Sequence, residues 1–198
     1  ARGEGPWLID PDGRRYLDAV SSWWVNLFGH AHPRINAAIK DQLDCLPHVM
    51  LAGFTQAPVV ELSERLAHLS GLGHAFYGSD GASAVEIALK MSFHYWQQRG
   101  QPGKRRFVSL AGSYHGETLG ALSVTDVALF REAYGPLLTE HLSVPFPGTG
   151  VSRCEPRAFP LDACCPECVQ PALAALEALL AERHASIAAL IVEPLVQG

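Results

Sequence analysis

Lysine is the scarcest charged residue in this sequence, present only as Lys40, Lys90 and Lys104. No basic stripe or lysine-rich run occurs, and the formal net charge of −5 is spread along the chain. A nucleic-acid partner is therefore not expected. Long apolar runs are also lacking. The longest are far too short to span a bilayer, so no membrane partner is expected either. No positively charged start leads into an apolar segment at Ala1, which makes a cytoplasmic location the default expectation.

Cysteine is sparse and uneven, with five in 198 residues. Cys45 sits in a helical pattern and reads as a buried small hydrophobe. Cys154, Cys164, Cys165 and Cys168 cluster. Cys165-Pro-Glu-Cys168 has the spacing of half a zinc ribbon. A single CxxC is weak evidence, so reduced thiols are the plainer reading and no metal site is assigned.

Apolar residues make up 48% of the sequence, ordinary for a globular chain of this length. Trp7–Asp10 and Arg14–Asp18 flank an Asp-Gly turn and read as a hairpin. Helices are expected from Pro33 to about Leu46, from about Pro58 to Leu69, from Ala82 to Arg99 and from Pro171 to His184. Strands are expected at His74–Tyr77, Arg106–Leu110, Leu142–Pro145 and Ile187–Glu193, the last fully buried. Thr118–Ser123 and Val127–Tyr134 read as short helical pieces. A long Pro-, Gly- and Cys-rich excursion fills about 146–171. Alternating strands and helices imply an α/β domain with a largely parallel sheet. In such sheets ligands bind outside the carboxyl ends of the strands.

The chemistry concentrates at Phe76–Lys90. There an apolar run ends in a small-residue turn that opens a helix. Unpaired N–H groups and a partial positive charge at a helix start favour an anion. Gly81, Ala82 and Ser83 let that anion come close. A tight strand-to-helix turn packed for its own sake remains open as an alternative. Tyr114 and His115 follow the Arg106–Leu110 strand, and Glu193 ends the last one. Trp23 and Trp24 are adjacent. In a strand they would face opposite sides, so at most one is simple core.

These segments resemble the class III aminotransferases. The resemblance rests on Ser21-Ser-Trp-Trp24, Phe76–Lys90, Ser113-Tyr-His-Gly-Glu-Thr118 and Val192-Glu-Pro-Leu-Val-Gln-Gly198. It covers nearly the whole chain apart from about 148–170. It implies pyridoxal 5'-phosphate as cofactor and the fold-type-I large domain. Residues 1–47 would then belong to the small domain, and 48–198 to the first part of the large cofactor-binding domain. It implies cofactor contacts from Gly81, Ala82, Ser83, Tyr114, His115 and Glu193, with Tyr114 stacked on the pyridine ring and Glu193 supporting the site. Trp23, Trp24 and Tyr114 would contact substrate, Trp23 along the chain of a long keto-acid. Many members carry Ser where this chain has Ala82, so the phosphate would rely more on backbone amides and Ser83.

The double tryptophan points to the branch that moves the amino group of S-adenosylmethionine to 8-amino-7-oxononanoate, giving 7,8-diaminononanoate for biotin, as a homodimer. A class III enzyme acting on diamines or ω-amino acids, and a non-catalytic phosphate-binding domain, stay open as alternatives. Pyridoxal chemistry needs a Schiff-base lysine and an acidic partner for the ring nitrogen. The family's versions of both lie downstream of Gly198, and none of the three lysines here matches. The chain is therefore expected to be incomplete and catalytically inactive alone.

Overall fold

The computed structural model describes residues 1–147, 166–194 and 197. The chain forms two compact units, Ala1–Ala75 and Phe76–Gly198.

The first unit opens with an antiparallel sheet of β1 (Arg2–Glu4), β2 (Trp7–Ile9) and β3 (Arg15–Leu17), in that spatial order. The expected hairpin is its second half, with Trp7 opposite Leu17 and Leu8 opposite Tyr16. Its turn is tied by the Asp10 carboxylate, which accepts from the amides of Asp12 and Arg14 at 2.9 Å each. Gly13 takes φ +85°, which an L side chain resists. β1 was not foreseen, because Arg-Gly-Glu carries no apolar alternation. The four residues of α1 (Ser21–Trp24) follow, then α2 (Pro33–Cys45) and α3 (Ala57–Ser70). α2 starts at Pro33, α3 carries Pro58 as its second residue, and both match the expected spans within a residue or two. α3 ends on Gly71 at φ 70°, whose amide caps Ala67. Cys45 is exposed, not buried. On the apolar stripe of its helix, Ile39 and Leu43 are more than half exposed and Ile35 is 41% exposed.

The second unit begins without the strand expected at His74–Tyr77. Those residues belong to no strand of either sheet, and Phe76 is 69% exposed. A strand needs a ladder, which an apolar run alone does not supply. Next comes α4 (Gly81–Gln98), then β4 (Arg106–Leu110), α5 (Leu119–Val124), α6 (Ala128–Arg131), β5 (Leu142–Val144), α7 (Pro166–Arg183) and β6 (Ile187–Leu190). The sheet order is β5-β4-β6, with β4 parallel to both neighbours. Val108, Val144 and Ile187 form the core, packed by Leu110, Leu142, Leu176 and Leu179. β6 is shorter and less buried than its apolar run suggests, since only Ile187 is fully covered. α7 starts before Pro171, which lies inside it.

Lys104 is committed to this frame. Its Nζ donates to the carbonyls of His184 and Ile187 at 2.6 and 3.1 Å, and lies 4.4 Å from the Trp96 ring centroid. Trp96 in turn donates to the Ala188 carbonyl at 2.7 Å. Among the described residues no helix is long and apolar enough to cross a membrane. Cys154, Cys164, Cys165 and the side chain of Cys168 lie outside the described residues.

Candidate functional site

In the first unit, Trp23 and Trp24 do not sit in a strand. Ser21, Ser22, Trp23 and Trp24 have φ of 51, 46, 65 and 76°, a single left-handed turn of L residues. Each such residue costs about 1–2 kcal/mol in this conformation. Both indoles are exposed, at 79% and 73%. They line an apolar cleft of about 530 Å³ with Val20 and Leu27.

In the second unit, α4 starts where the small residues predicted it. Gly81 is its first residue and is exposed, with open space where a Cβ would stand. The cap was not foreseen as a rival for the anion. Asp80 Oδ1 accepts from the Ser83 amide at 2.8 Å, and Oδ2 accepts from the Ser83 and Ser79 hydroxyls at 2.9 Å each. This is the preferred cap chemistry. Hydrogen bonds from the Ser83 amide and then the Ser79 hydroxyl hold the Asp80 carboxyl below its ordinary value. Ser83 is thus occupied, the Ala82 amide also contributes to holding the Asp80 carboxylate, and open space lies beside Gly81. An ionised Asp80 opposes a second anion at this turn. Asp80→Asn keeps a good cap and removes the charge. It is expected to tighten the whole protein's affinity for inorganic phosphate roughly two- to fivefold, with unchanged thermal stability. Titration calorimetry checks this, and unchanged affinity would place the anion elsewhere.

The loop after β4 is locked against this helix start. Gly116 has φ +120°, and a Cβ there would meet the Cβ of Ala82 at 2.7 Å. One turn on, the Gly120 amide donates to Glu86 Oε1 at 2.7 Å. Two glycines four residues apart let the loop backbone lie on α4. Thr125 is wholly buried and closes the loop from within. Its Oγ1 accepts from the His115 amide at 3.0 Å and lies 3.1 and 3.0 Å from the carbonyls of Gly116 and Ala121.

Tyr114 is held at three points. Its amide donates to Glu193 Oε1 at 2.8 Å, its hydroxyl donates to Glu117 Oε1 at 2.9 Å, and its ring lies 5.4 Å from that of Phe130. Burial and then the Glu117 carboxylate push the phenol pKa up, so the hydroxyl stays protonated. Glu193 thereby positions Tyr114 through the backbone from the segment that follows β6. Gly81, Ala82, Ser83, Tyr114, His115 and Glu193 all lie in the second unit, where the approach of Gly116 to Ala82 and the Tyr114–Glu193 hydrogen bond tie the loop after β4 to the α4 start and to the segment after β6. Three further residues escaped the sequence reading: Glu86, Thr125 and Asp126, which accepts from the Gly112 amide at 3.0 Å. A lone acid on a mostly apolar helix and the Gly116–Gly120 spacing were the available signals.

His115 is buried, and its Nε2 has no hydrogen-bond partner among the described residues. Burial lowers its pKa, opposed by Glu193. His141 behaves alike, lowered by burial first and then by Arg131, with Asp126 opposing and His115 adding a smaller push down. Each is therefore harder to protonate in the fold than in the unfolded chain, where it titrates near 6.5. Their contribution to stability is full above pH 6.5 and is lost as pH falls toward the lower folded value. Urea midpoints of the whole protein should drop across this range. His141→Gln should flatten the slope, and an unchanged slope would contradict the assignment.

The site fits a flat phosphorylated ring. It offers a glycine-led helix start for the phosphate, an aromatic side chain anchored beside it, and an unpartnered buried imidazole nitrogen.

The class-III aminotransferase profile matches residues 1–198. The adenosylmethionine-8-amino-7-oxononanoate aminotransferase of Geobacter sulfurreducens is 42% identical over 198 residues, which span 99% of this chain and 42% of that protein. The crystal structure of the enzyme of the same name from Methanocaldococcus jannaschii superposes with a TM-score of 0.84 at 36% identity, covering 100% of this chain and 41% of that one. An (S)-enantioselective omega-transaminase from Thermomicrobium roseum superposes with a TM-score of 0.85 at 33% identity, over 100% of this chain and 43% of that one. The chain thus spans about two-fifths of the length of these relatives. With the family model matched from end to end, the chain belongs to the class III aminotransferases.

Proposed function

We propose that the whole protein is a pyridoxal-phosphate-dependent aminotransferase that moves the amino group of S-adenosylmethionine to 8-amino-7-oxononanoate. The observation that carries the cofactor reading is the contact of Gly116 with Ala82, which fixes Tyr114 beside the α4 start. The substrate reading is supported by the identity to relatives bearing that activity in their names, and by the paired tryptophans.

When bound, the cofactor supplies an electron sink that lets an amine and a carbonyl exchange places. The amides of Gly81 and Ala82 would hold its phosphate, with Ser83 engaged by the Asp80 cap. Tyr114 would pack against its ring and exclude water there. Glu193 and Thr125 keep the Tyr114 loop in place. Trp23 and Trp24 wall the slot for the long aliphatic chain of the acceptor. The exchange balances without an outside oxidant: the donor's amine carbon becomes a carbonyl, and the acceptor's ketone carbon gains the amino group and a hydrogen. Lys40 and Lys90 are exposed on helices and Lys104 is tied to β6, so the cofactor's lysine is assigned to chain outside these residues. Under this reading residues 1–47 join the small domain, 48–198 begin the fold-type-I large domain, and the protein is a cytoplasmic homodimer.

A second reading, an ω-aminotransferase acting on diamines or ω-amino acids, is favoured by the likeness to the Thermomicrobium omega-transaminase. Half-reactions separate the two. S-adenosylmethionine is expected to bleach the visible cofactor band of the whole protein, and 8-amino-7-oxononanoate to restore it. Bleaching by a diamine but not by S-adenosylmethionine would overturn the first reading.

A further inference from the structure

We propose that Asp18 and His30 are positioning residues that hold Trp23 and Trp24 in their left-handed turn, and that the affinity for the acceptor ketone depends on them. The inference rests on the substrate reading above. Four consecutive non-glycine residues with positive φ need something to hold them. The indoles cannot do it, because both are largely exposed. The Asp18 carboxylate can. Its side chain is only 6% exposed. Oδ1 accepts from the Ser22 amide at 2.8 Å, and Oδ2 accepts from the Ser22 hydroxyl at 2.7 Å. His30 Nε2 donates to the same Oδ2 at 2.7 Å. Hydrogen bonds from the Ser22 side chain and then its amide hold the carboxyl below its ordinary range, so it stays an acceptor.

Both anchors are themselves fixed to the connection between β1 and β2. The Asp18 amide donates to the Pro6 carbonyl at 2.9 Å. His30 exchanges backbone hydrogen bonds with Gly5, at 2.7 Å from its own amide and 3.2 Å to its carbonyl. Gly3 leaves room for it, since a Cβ there would fall 2.4 Å from the Cβ of His30. The line of support runs from the β1–β2 connection through His30 and Asp18 to Ser22, and so to the tryptophans.

The test uses the whole protein. Asp18→Asn keeps one acceptor and loses the second. It is expected to raise KM for 8-amino-7-oxononanoate on the order of tenfold, about 1.4 kcal/mol. The cofactor band and bleaching by S-adenosylmethionine should stay within about twofold. Hydrogen exchange at the Ser22 and Trp24 amides should quicken by roughly the same factor. Ser22→Ala, which removes only the hydroxyl donor, should give a smaller change of the same kind if Asp18→Asn fails to fold. Adding Ser22→Gly to Asp18→Asn should recover most of the KM, because glycine enters positive φ freely. A merely stabilising Asp18 would not be rescued by glycine at that one position. Unchanged exchange at Ser22, or a raised KM with no glycine rescue, overturns the proposal. If exchange quickens and glycine reverses it while Trp23→Ala leaves the acceptor KM untouched, the turn assignment stands and the substrate reading fails, which defeats the affinity claim.

Discussion

Gly116→Ala is expected to destabilise the whole protein by about 3 kcal/mol or more and to abolish tight cofactor retention. The residue combines two costs. Its φ of +120° is one that L side chains rarely adopt, and such strain costs on the order of 1–3 kcal/mol. The added methyl would also stand 2.7 Å from the Cβ and 2.9 Å from the Cα of Ala82. Neither is the tip of a flexible side chain, so α4 or the loop must move, at a further cost of about 1–3 kcal/mol. Any movement separates Tyr114 from the α4 start. Gly135→Ala is the control, since nothing lies within 4 Å of its Cβ position. Urea melts and cofactor absorbance read both effects. A Gly116→Ala protein as stable as the control would refute the close packing of loop on helix.

Trp23→Ala and Tyr114→Ala should fail in opposite ways. Trp23 is read as a wall for the acceptor's aliphatic chain. Truncating an aromatic anchor of that kind costs about 2–4 kcal/mol. The loss should fall in kcat/KM for 8-amino-7-oxononanoate, with the cofactor band largely kept. The indole is 79% exposed, so little folding stability should go with it. Tyr114→Ala should instead disturb the cofactor band itself. If Trp23→Ala strips the cofactor while turnover per bound cofactor is unchanged, the tryptophan is structural and the substrate reading is wrong.

The long elements were legible because their cues are local. Proline at the start of α2 and α3, the Asp-Gly turn after β2, and the apolar run of β4 each act within a few residues. The helix start at Gly81 was legible for the same reason. Three features were not. The left-handed turn at Ser21–Trp24 is bonded to the Asp18 carboxylate, whose own partner His30 is brought to it by the fold, and nothing in the residue pattern marks either role. The expected strand at His74–Tyr77 has an apolar run but no ladder. Thr125 gathers His115, Gly116 and Ala121 through one hydroxyl, and a threonine in an apolar stretch carries no mark of that role. The identity of the Asp80 side chain was visible, yet its capture of Ser83 follows from cap geometry that the motif alone left open.

The most direct test of the site is a crystal structure of the whole protein with pyridoxal phosphate bound. The account predicts phosphate oxygens within about 3 Å of the Gly81 and Ala82 amides, ordinary hydrogen-bond range, and the Tyr114 ring against a face of the pyridine. A phosphate bound away from both amides, with Tyr114 off the ring, would contradict it.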